Sequence, residues 1–172
     1  MPGKDFVVDP AEIDYSNVVA DIGAIRLLNP QRDEMEQLTA IVYDDPEQHI
    51  TVGYKDTSVD EFWCSGHMPG VPLMPGVMMC EVAAQVCSYH TRQHDLLSCE
   101  MVGFGGLNDV KFRGMVLPGD RLTMVCQVTK IRRGKLVISR FEGFVGANLV
   151  CEGEIRCIPL PVEELRAKVA KK

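Results

Sequence analysis

The chain contains no Cys-x-x-Cys pair, although it carries seven cysteines: Cys64, Cys80, Cys87, Cys99, Cys126, Cys151 and Cys157. That absence disfavours a zinc ribbon or a thioredoxin-like redox motif. The odd number and the apolar neighbours fit reduced thiols packed as small hydrophobes. Cys64, three residues before His67, is open to two readings: a nucleophile, or packing beside Phe62 and Trp63. No apolar run approaches the roughly 18–20 residues a membrane span requires. The opening Met-Pro-Gly-Lys-Asp lacks the basic-then-apolar order of a secretory signal, so a cytoplasmic location is expected. Repeats, low-complexity tracts and Gly/Ser linkers are also missing. A chain of 172 residues with 46% hydrophobic side chains is long enough for one packed domain and short for two.

The net charge of −6 disfavours nucleic acid as a partner. It conceals an asymmetry. Residues 1–102 hold 5 basic and 17 acidic side chains, whereas residues 103–172 hold 13 basic and 7 acidic. The basic half suits an acidic partner.

Hydrophobic periodicity gives an element order. Residues 1–12 read as a loose arm. Val18, Val19, Ile22, Ile25 and Leu28 recur at helical spacing and predict a helix over 14–28, stopped by Asn29-Pro30. Residues 38–43 and 49–54 read as strands joined at Asp44-Asp45-Pro46. Residues 56–76 are Gly- and Pro-rich loop. Residues 77–93 lack both and are apolar nearly all round in their first half, which predicts a buried central helix. Four long strands follow, with turns at Gly134 and at Gly146-Ala147-Asn148. Residues 161–172 read as a short basic helix. One apolar helix against one antiparallel sheet is an α+β layout, and several long strands around one helix suggest a curled sheet.

Two residues stand out chemically. His67 opens a stretch containing Pro69, Gly70, Pro72, Pro75 and Gly76, a composition that fixes a backbone path and can hold a histidine in place. Glu81 lies on the apolar helix between Met78-Met79-Cys80 and Val82-Ala83-Ala84. Burial raises a carboxyl pKa, as a general acid at neutral pH requires. A purely structural hydrogen bond to the neighbouring loop would equally explain a carboxylate there. Gln85 and Ser88 continue a thin polar stripe from Glu81. Gly76 starts the helix, where a free N–H and the positive helix end can polarise a carbonyl oxygen, or simply mark a helix entry after Pro75. His49, His90 and His94 have no evenly spaced carboxylate or cysteine partner and read as surface or structural residues.

The run from His67 to Gln85, His-x-Pro-Gly-x-Pro-x-x-Pro-Gly-Val-x-x-x-Glu-x-x-Ala-Gln, resembles the signature of the β-hydroxyacyl-acyl-carrier-protein dehydratases of fatty acid synthesis. The fourteen-residue spacing from histidine to acid matches. So do Lys111-Phe112-Arg113, Leu117-Pro118-Gly119-Asp120, the Arg132-Arg133-Gly134-Lys135 turn and the closing Leu149-Val150-Cys151-Glu152-Gly153-Glu154. The resemblance covers about residues 22–158.

It implies a single hot-dog domain over 1–172, with a long central helix wrapped by a curved antiparallel sheet. It also implies dehydration of a (3R)-hydroxyacyl thioester on acyl carrier protein to the trans-2-enoyl thioester. His67, Glu81 and Gly76 would be the catalytic set, and no cofactor or metal would be required. Val77, Met78, Met79, Val82, Gln85, Val110 and Phe112 would line the substrate site. Lys111, Arg113, Arg132, Arg133 and Lys135 would dock the acidic carrier, or form a solvated basic face. Family members pair into homodimers whose sites take the histidine from one subunit and the acid from the other, and often assemble three dimers into a hexamer. A hot-dog thioesterase and a non-catalytic acyl-thioester-binding subunit are the alternatives. Two departures bear on substrate preference. The family's Pro-His-Arg reads Pro30-Gln31-Arg32 here, followed by an acidic 33–36. The tunnel mouth, residues 102–106, is glycine-rich and expected to be open or mobile.

Overall fold

The computed structural model describes residues 6–171. Its elements are α1 (Ile22–Leu28), β1 (Ala40–Asp45), β2 (Ile50–Asp56), α2 (Gly76–Gln93), β3 (Val102–Phe112), β4 (Arg121–Arg132), β5 (Leu136–Val145), β6 (Asn148–Pro159) and α3 (Val162–Val169). The six strands form one sheet in the order β1-β2-β4-β5-β6-β3, antiparallel throughout. α2 packs against β2, β3, β4, β5 and β6. A single helix reaches that many strands only if the sheet curls around it, as the hot-dog expectation requires. Among the described residues no helix is long and apolar enough to cross a membrane.

Alternation along the strands builds two cores. Leu122, Met124 and Cys126 of β4 face α2, joining Met79, Val82, Ala83, Val86 and Cys87 of the helix. Val125, on the opposite face of the same strand, joins Val42, Val52, Tyr54 and Phe144 in an outer cluster. That outer face is covered by the N-terminal segment. The Phe6 ring meets Phe144 edge-to-face at 5.1 Å, the Val7 N–H donates to the buried Glu142 carboxylate at 2.9 Å, and Tyr15 meets Tyr54 edge-to-face at 5.7 Å. The loose arm expected over 1–12 is therefore a packed strap from residue 6 onward, because an apolar sheet face would otherwise lie bare. Residues 1–5 lie outside the described residues.

The helix expected over 14–28 is α1 alone. Val19 and Ala20 instead bond Ile41 across β1, and the Asp21 side chain caps α1 by accepting from the Ala24 N–H at 2.9 Å. The β-branched pair Val18-Val19 serves a strand edge better than a helix, and the cap fixes the boundary about two turns later than the periodicity suggested. The terminal helix is the shorter α3. All seven cysteines are free thiols. Burial pushes the Cys151 thiol up to about 12; Cys80, Cys87, Cys126, Cys151 and Cys157 are buried, as core thiols would be, whereas Cys64 and Cys99 are only partly buried.

Candidate active site

The loop ahead of α2 holds His67 by its backbone. The His67 N–H donates to the Trp63 carbonyl at 2.7 Å, and the His67 carbonyl accepts from Leu73 N–H at 2.9 Å. Between them Met68 and Val71 exchange two backbone bonds across a turn that needs φ +78° at Gly70. The imidazole is fixed as well: its Nδ1 lies 2.9 Å from the Leu73 carbonyl oxygen. A carbonyl only accepts, so Nδ1 is the donor, and in the neutral ring Nε2 keeps its lone pair. The half-buried ring thus presents a base.

Glu81 occupies the second turn of α2 and is half-buried. Burial pushes its carboxyl above the ordinary range, against hydrogen bonds from Gln85 and Gln31 that favour the ionised form. Gln85 is a junction. Its Nε2 donates to Glu81 Oε1 at 2.7 Å and to the Met35 carbonyl at 2.6 Å, while its Oε1 accepts the Gln37 N–H at 2.9 Å. The Asn29 side chain ties the same helix turn to the end of α1 through the Gln85 carbonyl, at 2.9 Å. The segment after α1 therefore aims Glu81. A cavity of about 60 Å³ lies beside the carboxyl, bounded by Gln31, Ala84, Ser88, Gly103, Phe104 and Ile155.

Gly76 begins α2 after Pro75, with no side chain capping the helix. Its first N–H groups have no carbonyl one turn upstream within the helix, which leaves them available to an acceptor. A Cβ on Gly76 would stand 2.8 Å from the Phe112 ring, so glycine is what lets Phe112 lie across the helix start.

The expected lining residues separate into two sets. Val77, Met78, Val110 and Phe112 are at least partly exposed. Met79, Val82 and Gln85 are buried at 2%, 0% and 1%. The first two belong to the helix–sheet core, and the third has its amide engaged as above, so none of these three lines open space. The cavity is lined instead by Gln31, Ala84, Ser88 and Phe104, none of them in the expected lining set, although Ser88 lies on the expected polar stripe and Phe104 at the expected tunnel mouth. Glu81, Ala84 and Ser88 are spaced i, i+3, i+7, and that polar and small-residue stripe was the available signal.

The five basic residues also separate. Lys111 is the penultimate residue of β3 and Arg113 follows the strand, at the Gly76 end of the helix, where the Arg113 guanidinium pairs with Glu152. Arg132, Arg133 and Lys135 lie at the β4–β5 turn, about six strand residues or 20 Å further along the sheet. The glycine-rich mouth is not an open loop: residues 102–106 are the first half of β3, paired with β6. Gly103 is required there because a Cβ would meet Leu160 at 2.4 Å.

Of His49, His90 and His94, expected to lack acidic partners, the last two meet Asp44, and His49 packs against His90. His90 Nδ1 lies 2.8 Å from Asp44 Oδ1, and His94 Nε2 lies 2.7 Å from Asp44 Oδ2. Sequence spacing hid this because Asp44 reaches both rings from another element.

With this geometry in hand, residues 29–154 match the FabA-like domain family. The chain belongs to that family. A 3-hydroxyacyl-[acyl-carrier-protein] dehydratase FabZ of Clostridium beijerinckii is 32% identical over 136 residues, covering 78% of this chain and 95% of the relative. The FabZ dehydratase of Mannheimia succiniciproducens is 37% identical over 119 residues, 67% of this chain and 77% of the relative. Among solved structures, the dehydratase heterocomplex ApeI:P from Xenorhabdus doucetiae superposes with a TM-score of 0.70 at 13% identity, covering 84% of this chain and 96% of that one. At that identity the likeness speaks for the fold. It is the hot-dog fold of the FabA-like family, with His67, Gly76 and Glu81 all inside the matched span.

Proposed function

We propose that this protein removes water from (3R)-3-hydroxyacyl thioesters presented on acyl carrier protein, giving trans-2-enoyl thioesters for fatty acid synthesis. The observation that carries the reading is the pairing of opposite proton tasks. With Nδ1 donating to the Leu73 carbonyl, the neutral His67 ring offers Nε2 as a base, and Glu81 has a carboxyl that burial keeps protonated to higher pH. In the reaction Nε2 takes a proton from the carbon next to the thioester carbonyl. The electron pair forms the C=C bond, and the C–O bond to the β-hydroxyl breaks. Glu81 gives its proton to that hydroxyl, which leaves as water. The N–H of Gly76, with that of Val77 beside it, donates to the carbonyl oxygen as negative charge gathers there. The thioester itself acidifies the proton, so the chemistry calls for no metal or redox cofactor. The relatives named above bear the same activity in their names.

The active form is a homodimer whose sites are shared. A cavity of about 60 Å³ beside Glu81 is far below the roughly 300 Å³ of an ordinary ligand site, and His67 is not among its walls. β3 is an edge strand, and Phe104 and Phe112 on it are more than half exposed. A second copy laid along that edge would cover both rings and bring its own His67 loop to Glu81. Three such dimers would make the hexamer. Lys111 and Arg113 at the Gly76 end are the docking charges for the acidic carrier. The seven free thiols suit a reducing compartment, the cytoplasm.

The test is direct. The protein is incubated with 3-hydroxybutyryl and longer 3-hydroxyacyl thioesters, and enoyl product and free thiol are followed together. Enoyl thioester should form, and His67→Ala and Glu81→Gln should each lose about 10²–10⁴-fold. Thiol release without enoyl product would identify a thioesterase instead. Neither product, with tight acyl-carrier binding, would identify a binding subunit.

A further inference from the structure

We propose that Asp44, His90 and His94 bind one divalent first-row transition cation, Zn²⁺ by ligand chemistry, clamping the C-terminal end of α2 to the end of β1. The chain has four histidines. One is His67; two of the others, His90 and His94, converge on the Asp44 carboxylate at the far end of the helix, and His49 lies behind His90. His90 stands in the last turn of α2 and His94, four residues on, is its C-cap, so both rings leave the same side of the helix end. One ligand atom from each of Asp44, His90 and His94 lies within 4.8 Å of the others. A tetrahedral zinc with bonds of about 2.0–2.1 Å holds its ligand atoms roughly 3.3 Å apart. The widest separation therefore has to close by at most about 1.5 Å, within reach of side-chain rotation, while the two contacts to Asp44 relax outward.

The surroundings fit a ligating centre. His90 is 1% exposed, and its Nε2 lies 3.4 Å from His49 Nδ1. A metal-bound imidazole commonly donates its other N–H to such a partner, which fixes its tautomer. His49 is held at φ +55°, a left-handed conformation uncommon for histidine, and its ring stands edge-on to His90 at 5.7 Å. The Thr51 hydroxyl, 2.6 Å from His90 Nδ1 and 2.5 Å from Asp44 Oδ1, or a water, is placed to supply the fourth ligand. The negative end of the α2 dipole adds attraction for a cation. Binding requires only that each histidine carry its proton on the outer nitrogen: Nε2 of His90, toward His49, and Nδ1 of His94. Nine residues separate Glu81 from His90, about 13–14 Å along the helix, so this centre is distinct from the proposed catalytic one and does not depend on it.

The experiment uses tag-free full-length protein, stripped with chelator and titrated with Zn²⁺, with bound metal counted by mass spectrometry and affinity read by calorimetry. One equivalent per chain should bind. Asp44→Asn and His94→Gln should each weaken it by at least 100-fold, and His49→Ala by about 10–100-fold. His94 keeps a 20% exposed side chain, so His94→Gln tests the site without opening the core. Co²⁺ in place of Zn²⁺ should give the intense visible bands of a four- or five-coordinate ion. Absence of stoichiometric binding overturns the proposal. So does binding that survives Asp44→Asn and His94→Gln, which would assign the metal to the thiols.

Discussion

At the level of single residues, Gln85 separates positioning from chemistry. It touches no open space, yet it bonds Glu81, the Met35 carbonyl and the Gln37 N–H together. Gln85→Leu strands a buried donor and a buried acceptor, a loss of about 1–3 kcal/mol of stability in denaturant unfolding. It also removes a hydrogen bond that favours the ionised Glu81. The Glu81 carboxyl, already raised by burial, then rises further. If Glu81 is the acid that protonates the leaving hydroxyl, activity falls as pH climbs through its pKa. The alkaline limb of the kcat profile should therefore move to higher pH in Gln85→Leu, with KM little changed. A limb that stays fixed would mean that another group sets it. The rigid loop that holds His67 and the half-buried place of Glu81 were readable from residue types and spacing, whereas their pairing rests on the family resemblance. The role of Gln85 was not, because its partners Met35 and Gln37 lie about fifty residues away in a segment whose sequence shows only acidic loop.

At the level of elements, the sequence spoke most clearly where one period ran unbroken. α2 and the long strands are where alternation and helical spacing put them, since each has a whole face to bury. α1 and the N-terminal strap differ from the expectation for one shared reason: tertiary packing decided them. Val19 and Ala20 pair with β1, and Phe6 covers Phe144, although neither contact has a periodic signature. β3 looked open because of its glycines, whereas those glycines let Leu160 and Ile158 pack close. The same logic gives a prediction within β5. A Cβ on Gly143 would lie 2.5 Å from the Cys151 sulfur and 3.1 Å from Met124 Cε. Gly143→Ala should cost about 1–3 kcal/mol by overpacking. In a Cys151→Ala background, which removes the closer atom, the penalty should shrink, and a double-mutant cycle from urea unfolding measures the coupling. Additive losses would place the strain in the strand backbone instead.

At the level of the whole molecule, the single chain carries both members of the proposed acid–base pair but closes only a small cavity around one of them. His67 is anchored on the loop before α2 through Leu73, and Glu81 faces the Gln31–Phe104 side of the helix. If two copies complete each site, activity belongs to the assembly. His67→Ala homodimers and Glu81→Gln homodimers would each be nearly dead. A heterodimer of one His67→Ala chain and one Glu81→Gln chain would carry one site with both defects and one with neither. Random mixing after reversible dissociation makes half of the dimers mixed, each with one intact site of two, so about a quarter of wild-type activity should return. Differently tagged chains, purified through both tags, raise the expected value to about half. Mixed dimers that form yet stay inactive would put His67 and Glu81 of one chain in the same site, and the edge of β3 would then need another occupant.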